Sequence, residues 1–119
     1  MFMTHHFLDP RMYLGKMVTV QIDRPMGSRH PSGGFVYPVN YGYIQGVPAP
    51  DGEDLDAYVL GIFEPLGRFT GECIAIVRRV DDLEDKLVLV PKGKSYTDEQ
   101  ISALIEFQER FFKSNIERG

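Results

Sequence analysis

Asp51–Phe63 reads DGEDLDAYVLGIF. From Leu55 onward the run is apolar on both alternating faces, the pattern of a strand covered on both sides. ECIAIVRRV (72–80) and KLVLV (86–90) repeat that pattern, joined by the acidic turn DDLED (81–85). Upstream, MVTVQID (17–23) alternates, with Val18, Val20 and Ile22 on one face and Thr19, Gln21 and Asp23 on the other, as in a half-buried strand. RPMGSRHPSGG (24–34) is dense in Pro and Gly and reads as a turn or loop. In FVYPVNYGYI (35–44) the aromatics favour extended chain, while Pro38 demotes it to an edge strand or irregular segment. GVPAPDGED (46–54) reads as a turn-rich loop and EPLGRFTG (64–71) as a connector. Late in the chain Thr97 and Gln100 have the spacing of a capping box. Behind them Ile101, Leu104, Ile105, Phe111 and Phe112 share one helical face, interrupted by Gln108. About five strands and one C-terminal helix predict a mainly β fold with α, a small closed sheet with the helix packed against it.

The 119 residues, 43% hydrophobic and 12% aromatic, suit one domain over 1–119, with 1–16 as a loose N-terminal arm. The single Cys73 excludes an internal disulfide framework and a cysteine-based zinc cluster. Within an apolar run it reads as an inert buried thiol. No apolar run approaches the ~20 residues of a membrane span, and the opening MFMTHHFLDPR lacks the pattern of a secretory signal. The expectation is a cytoplasmic protein with no membrane partner. Eight of the 17 acids fall within Asp51–Asp56 and Asp81–Asp85, leaving nine acids against 13 bases elsewhere. Two acidic patches on a basic body argue against a nucleic-acid partner, which needs a basic stripe.

Those patches carry the chemistry. Asp51 lies on a loop and Asp56 at the mouth of an apolar strand, where an unpaired carboxylate is costly. A divalent cation held by both removes that conflict. Oxygen ligands with no nearby His or Cys select Mg²⁺ or Mn²⁺ over zinc. The loop is not an EF-hand: its sixth position is Asp56 instead of Gly, and a strand follows. Asp81, Asp82, Glu84 and Asp85 form a second acidic turn capping a buried strand. If the two turns face each other they hold more than one metal, the device used for in-line displacement at phosphorus. A phosphate ester or anhydride is then the implied substrate.

Tyr37-Pro38-Val39-Asn40-Tyr41-Gly42-Tyr43-Ile44, the ten-residue interval from Tyr41 to Asp51, and the later Asp85-Lys86 with LVLVP together resemble the soluble family I inorganic pyrophosphatases over about residues 17–113. The resemblance implies an OB-like closed barrel with a flanking helix, and Mg²⁺-dependent hydrolysis of pyrophosphate to two phosphates by in-line attack of metal-activated water. Asp51 and Asp56 match metal-ligand aspartates, and Glu53 matches the base for the attacking water, itself placed among the metals. Asp81 or Asp82 matches one further ligand, and Asp85, or less closely Glu84, another. Arg29 matches a phosphate-binding arginine, Tyr41 a phosphate-side tyrosine, and Lys86 a lysine near the metals. Phe112-Lys113 stands where the family has Tyr-Lys reaching the substrate from the helix. Self-association is common in the family, so a homo-oligomer is implied.

The chain also departs from the family pattern. Glu53 replaces an aspartate and is one methylene longer, Gln21 stands where the family has a first-strand Glu, the loop before Arg29 is short, and Phe112 has no hydroxyl. Two other readings follow: hydrolysis of another small phosphoanhydride such as a nucleotide, or a catalytically weak module that binds metal and phosphate. Arg78 and Arg79, ending an apolar strand, read equally as surface charges or phosphate ligands. His5, His6 and His30 lack ligand spacing and read as solvated.

Overall fold

The computed structural model describes residues 9–49, 52–80 and 84–119. Among them, six strands and one helix follow in the order β1 (Met17–Arg24), β2 (Asn40–Pro48), β3 (Asp54–Val59), β4 (Arg68–Arg79), β5 (Asp85–Val90), α1 (Asp98–Glu109) and β6 (Ser114–Glu117). The sheet runs β1-β2-β3-β5-β4, and β1 pairs back onto β4, which closes a five-stranded mixed barrel. Among the described residues only the β3–β5 pair is parallel. The expected closed, OB-like barrel with a C-terminal flanking helix is the observed fold.

Strand parity explains how a small barrel carries apolar residues on both faces. Leu55, Ala57 and Val59 of β3, with Leu87 and Leu89 of β5 and Val18 and Val20 of β1, fill the interior. Their alternates Tyr58, Val88, Val90, Ala75 and Val77 face outward and are covered by Ile101 and Ile105 of α1. Residues with the outward parity that lie beyond the reach of α1 line the cleft described below.

Several boundaries differ from those read in the sequence. β2 is interior, paired to both β1 and β3. Pro38 lies just outside it, so no ladder hydrogen bond is lost. β2 also continues through Pro48, where a bulge between Ile44 and Pro48 absorbs the turn residues of the expected loop. β4 begins at Arg68, inside the expected connector, because Arg68–Glu72 pair with Met17–Gln21 to close the barrel. Residues 9–16 of the expected loose arm are docked: Pro10–Tyr13 form a 3-10 turn capped by Asp9, and Gly15 and Lys16 exchange backbone hydrogen bonds with Cys73. The capping box is present, with Gln100 N donating to Thr97 Oγ1 at 3.1 Å and Thr97 N to Gln100 Oε1 at 2.8 Å. The helix stops at Glu109, so Phe111, Phe112 and Lys113 are not part of it. They form the link to β6, a strand absent from the sequence reading that pairs with Ile76–Arg79. Among the described residues no helix is long and apolar enough to cross a membrane.

Candidate functional site

Three backbone features aim side chains at one place on the outer barrel wall. Asp56 and Lys86 are directly paired across the parallel β3–β5 ladder. Tyr43 pairs with Asp56, and Tyr41 pairs with Tyr58, across β2–β3. The β1–β2 register slips between Ile22 and Arg24, and this irregularity carries Asp23 to the rim of the same region, as bulges often do beside functional sites.

The centre of the region is Lys86, buried to 1% exposure. Its ammonium donates to Asp56 Oδ2 at 3.0 Å and to Glu84 Oε2 at 2.9 Å. Burial of a cation is tolerable when two carboxylates bracket it. Tyr41 donates its hydroxyl to the same Asp56 oxygen at 2.6 Å. Burial first, and then the Asp56 charge, hold the Tyr41 hydroxyl well above its ordinary pKa, so it stays a proton donor.

Beneath this layer lies a fully bonded polar chain. Arg79 reaches Glu84 at 3.1 Å and grips Glu109 through two bonds of 3.0 and 2.8 Å. Tyr58 donates to Glu109 at 2.5 Å, Gln108 Nε2 donates to Tyr58 at 2.8 Å, and Tyr37 donates to Gln108 Oε1 at 3.0 Å. Among the described residues, no buried side-chain nitrogen or oxygen lacks a partner. Burial works against the Arg79 charge, but the Glu109 bonds more than offset it and raise its pKa. The guanidinium also lies over the Phe112 ring, 3.6 Å from its centroid.

Two clefts meet over Lys86 and share Asp23, Asp56, Glu84 and Lys86. One, of about 500 Å³, adds Tyr43, Ala49, Glu53 and Asp54. Five carboxylates thus line this cleft, two of them, Asp56 and Glu84, bonded to Lys86. Burial, opposed by Arg24 and reinforced by Asp56, raises the Asp23 pKa. The other, of about 520 Å³, adds Arg24, Arg79, Tyr41 and an aromatic wall.

The structure brings together Tyr41, Glu53, Asp56 and Lys86 of the sequence candidates. Asp51, Asp81 and Asp82 lie outside the described residues. Glu84 faces the cleft. Asp85, one residue on, projects to the opposite side of β5 and pairs with Arg78 at 2.8 Å, because strand alternation sends neighbours to opposite faces. Arg29 is exposed on the hairpin bridged at Arg29–Val36, bonded to the Gly34 carbonyl at 3.2 Å. It lines neither cleft, and neither does Lys113, exposed in the link before β6. Arg24 and Arg79 are the guanidinium groups in the first cleft. Among the described residues no three His, Cys, Asp or Glu side chains stand close enough to hold a metal together. In the cleft of about 500 Å³ the possible metal ligands are all oxygen, from Asp23, Tyr43, Glu53, Asp54, Asp56 and Glu84, and that chemistry fits a hard divalent cation.

No protein-family model matches this sequence, and no curated protein matches it. Solved structures do. The chain is similar to the inorganic pyrophosphatase from Ehrlichia chaffeensis (TM-score 0.70, 17% identity, 88% of this chain and 87% of that one). It is also similar to the enzyme from Helicobacter pylori (0.66, 15% identity, 86% and 84%) and to the one from Thermus thermophilus (0.61, 17% identity, 97% and 88%). The chain therefore has the fold of the inorganic pyrophosphatases, in agreement with the resemblance read from its motifs.

Proposed function

We propose that this chain is a Mg²⁺-dependent phosphoanhydride hydrolase that converts inorganic pyrophosphate to two phosphates. The observation that carries the reading is one cleft lined by carboxylates from separate strand openings, Asp23 at the β1 irregularity, Glu53, Asp54 and Asp56 entering β3, and Glu84 entering β5, with Asp56 and Glu84 bridged by Lys86. The shared pyrophosphatase fold supports it.

Asp56, with Asp51 and with Asp81 or Asp82, would hold Mg²⁺ (or Mn²⁺). Glu84 faces the cleft on behalf of the second turn, and the Asp85 carboxylate would have to leave Arg78 to join it. When bound, the metal supplies an acidified water and neutralises phosphate charge. Glu53, at the rim beside Asp56, takes the proton of the attacking water. Tyr41 keeps its proton and donates it in a hydrogen bond, first to Asp56 and, with substrate present, to a phosphoryl oxygen. Lys86 and Arg79, held in place by Asp56, Glu84 and Glu109, offset the charge that grows on the leaving phosphate. Arg24 closes the rim, and Arg29 and Lys113 reach the substrate only if their segments move. Phosphate release from pyrophosphate with Mg²⁺ tests the assignment. Glu53→Ala should lower kcat by about 10²-fold or more, and unchanged turnover in that variant would remove Glu53 from the role of base.

A further inference from the structure

We propose that the first cleft accepts the organic half of a substituted diphosphate, specifically a planar nitrogenous base joined to a diphosphate, as in a nucleoside diphosphate. The inference rests on reading the Lys86 region as a phosphoanhydride site and adds a second compartment to it.

The cleft of about 520 Å³ has two unlike walls. One is charged, with Arg79 and Lys86 set among Asp23, Asp56 and Glu84. The other is aromatic: His30, Phe35, Phe111 and Phe112. Clefts of roughly 300–1,000 Å³ hold drug-sized ligands, and a bare diphosphate would leave most of this one to water. The aromatic wall is built rather than incidental. Phe35 packs against His30 at 4.7 Å, and Phe111 lies near-parallel to Phe35 at 6.1 Å and 23° between planes. Phe111 is 59% exposed, with the Arg110 guanidinium 5.1 Å from its ring centroid, so its remaining ring surface lies at the cleft mouth instead of in the core. His30 accepts from the Ser32 and Gly33 amides through Nδ1, at 3.1 and 2.7 Å. A neutral ring so engaged carries its proton on Nε2 and keeps one donor for a ligand acceptor. Arg79 lies on the Phe112 face and therefore stands at the junction of the two walls. A ligand with phosphates on Arg79 and Lys86 and a flat ring against Phe35 and Phe111 satisfies both. Every nucleobase has a π-face, so such a wall selects for an aromatic group without selecting which base.

The test compares two non-hydrolysable probes by calorimetry with Mg²⁺ present: α,β-methylene adenosine diphosphate and methylenediphosphonate. The nucleoside probe should bind about tenfold tighter. Phe111→Ala, at an exposed position, should erase that advantage while methylenediphosphonate binds as before, and Phe111→Tyr should keep it. Equal affinity of the two probes for the natural chain, or an advantage that survives Phe111→Ala, would overturn the proposal. Because the readout is binding, its failure is separate from a failure of pyrophosphate hydrolysis, which would strike the proposed function instead.

Discussion

Glu109 shows how much of the site depends on a residue far from the acidic turns. Its carboxylate accepts from Arg79 twice and from Tyr58 once, at 5% exposure. Replacing it with Gln takes from the Arg79 guanidinium the closer and more buried of two charged partners among the described residues and leaves the Glu84 pair at 3.1 Å. Urea unfolding of Glu109→Gln should show a loss of about 3 kcal/mol, and a loss near zero would mean the pair is solvated. Cys73 gives a second check. Burial pushes its thiol up to about 11 from an ordinary 9.0. The folded chain then keeps a proton that the unfolded chain releases, so this contribution to stability is complete below pH 9 and is lost as pH rises toward 11. Native protein at pH 8 should resist alkylation at Cys73, and denatured protein should react promptly. Fast labelling of the native form would contradict the burial. The inert buried thiol was legible from its apolar neighbours. The partner of Arg79 was not, since nothing local in RRV distinguishes an arginine turned inward from one turned to water. Gln108 did leave a trace: a polar residue interrupting the apolar helix face, which proves to bridge Tyr37 and Tyr58.

At the scale of elements, the covered strands and the capping box were readable because each is set by local pattern, alternation in one case and Thr97–Gln100 spacing in the other. What escaped depends on partners distant in sequence. β6 has too few residues to show a period and exists because Ile76–Arg79 offer it an edge. The helix ends at Glu109 although apolar spacing continues to Phe112, because Phe112 packs under Arg79 instead of on the helical face. Glu84, not its neighbour, faces the cleft because the parity of β5 is set by its pairing with β3. The same pairings make one glycine critical. A Cβ on Gly42 would lie 1.8 Å from the Gln21 carbonyl oxygen, so β1 and β2 would have to separate. Gly42→Ala should cost more than about 2 kcal/mol or prevent folding, whereas Gly67→Ala, which meets nothing within 4 Å, should stay within about 0.5 kcal/mol. Circular dichroism with urea titration distinguishes them, and similar stabilities would mean that the β1–β2 register is wrong.

For the whole molecule, the barrel acts as a scaffold with two outer surfaces. One is covered by α1 and provides stability. The other continues the same strands past the end of the helix and gathers Asp23, Tyr41, Asp56, Glu84, Lys86 and Arg79. The rigid closed sheet keeps these groups in register, which suits chemistry that depends on placing charge before substrate arrives. Motif spacing says more about that surface than composition does, because Asn40–Ile44 of the first motif and Asp54–Asp56 of the second lie on the adjacent antiparallel strands β2 and β3, whose pairing sets which residues meet. The most direct measurement is phosphate release from pyrophosphate by the natural chain and by Asp56→Asn, each with and without Mg²⁺. The proposed function requires Mg²⁺-dependent release by the natural chain and a loss of at least about 10²-fold in the variant. Release that is indifferent to Mg²⁺ or to Asp56, or no release by the natural chain, would contradict it.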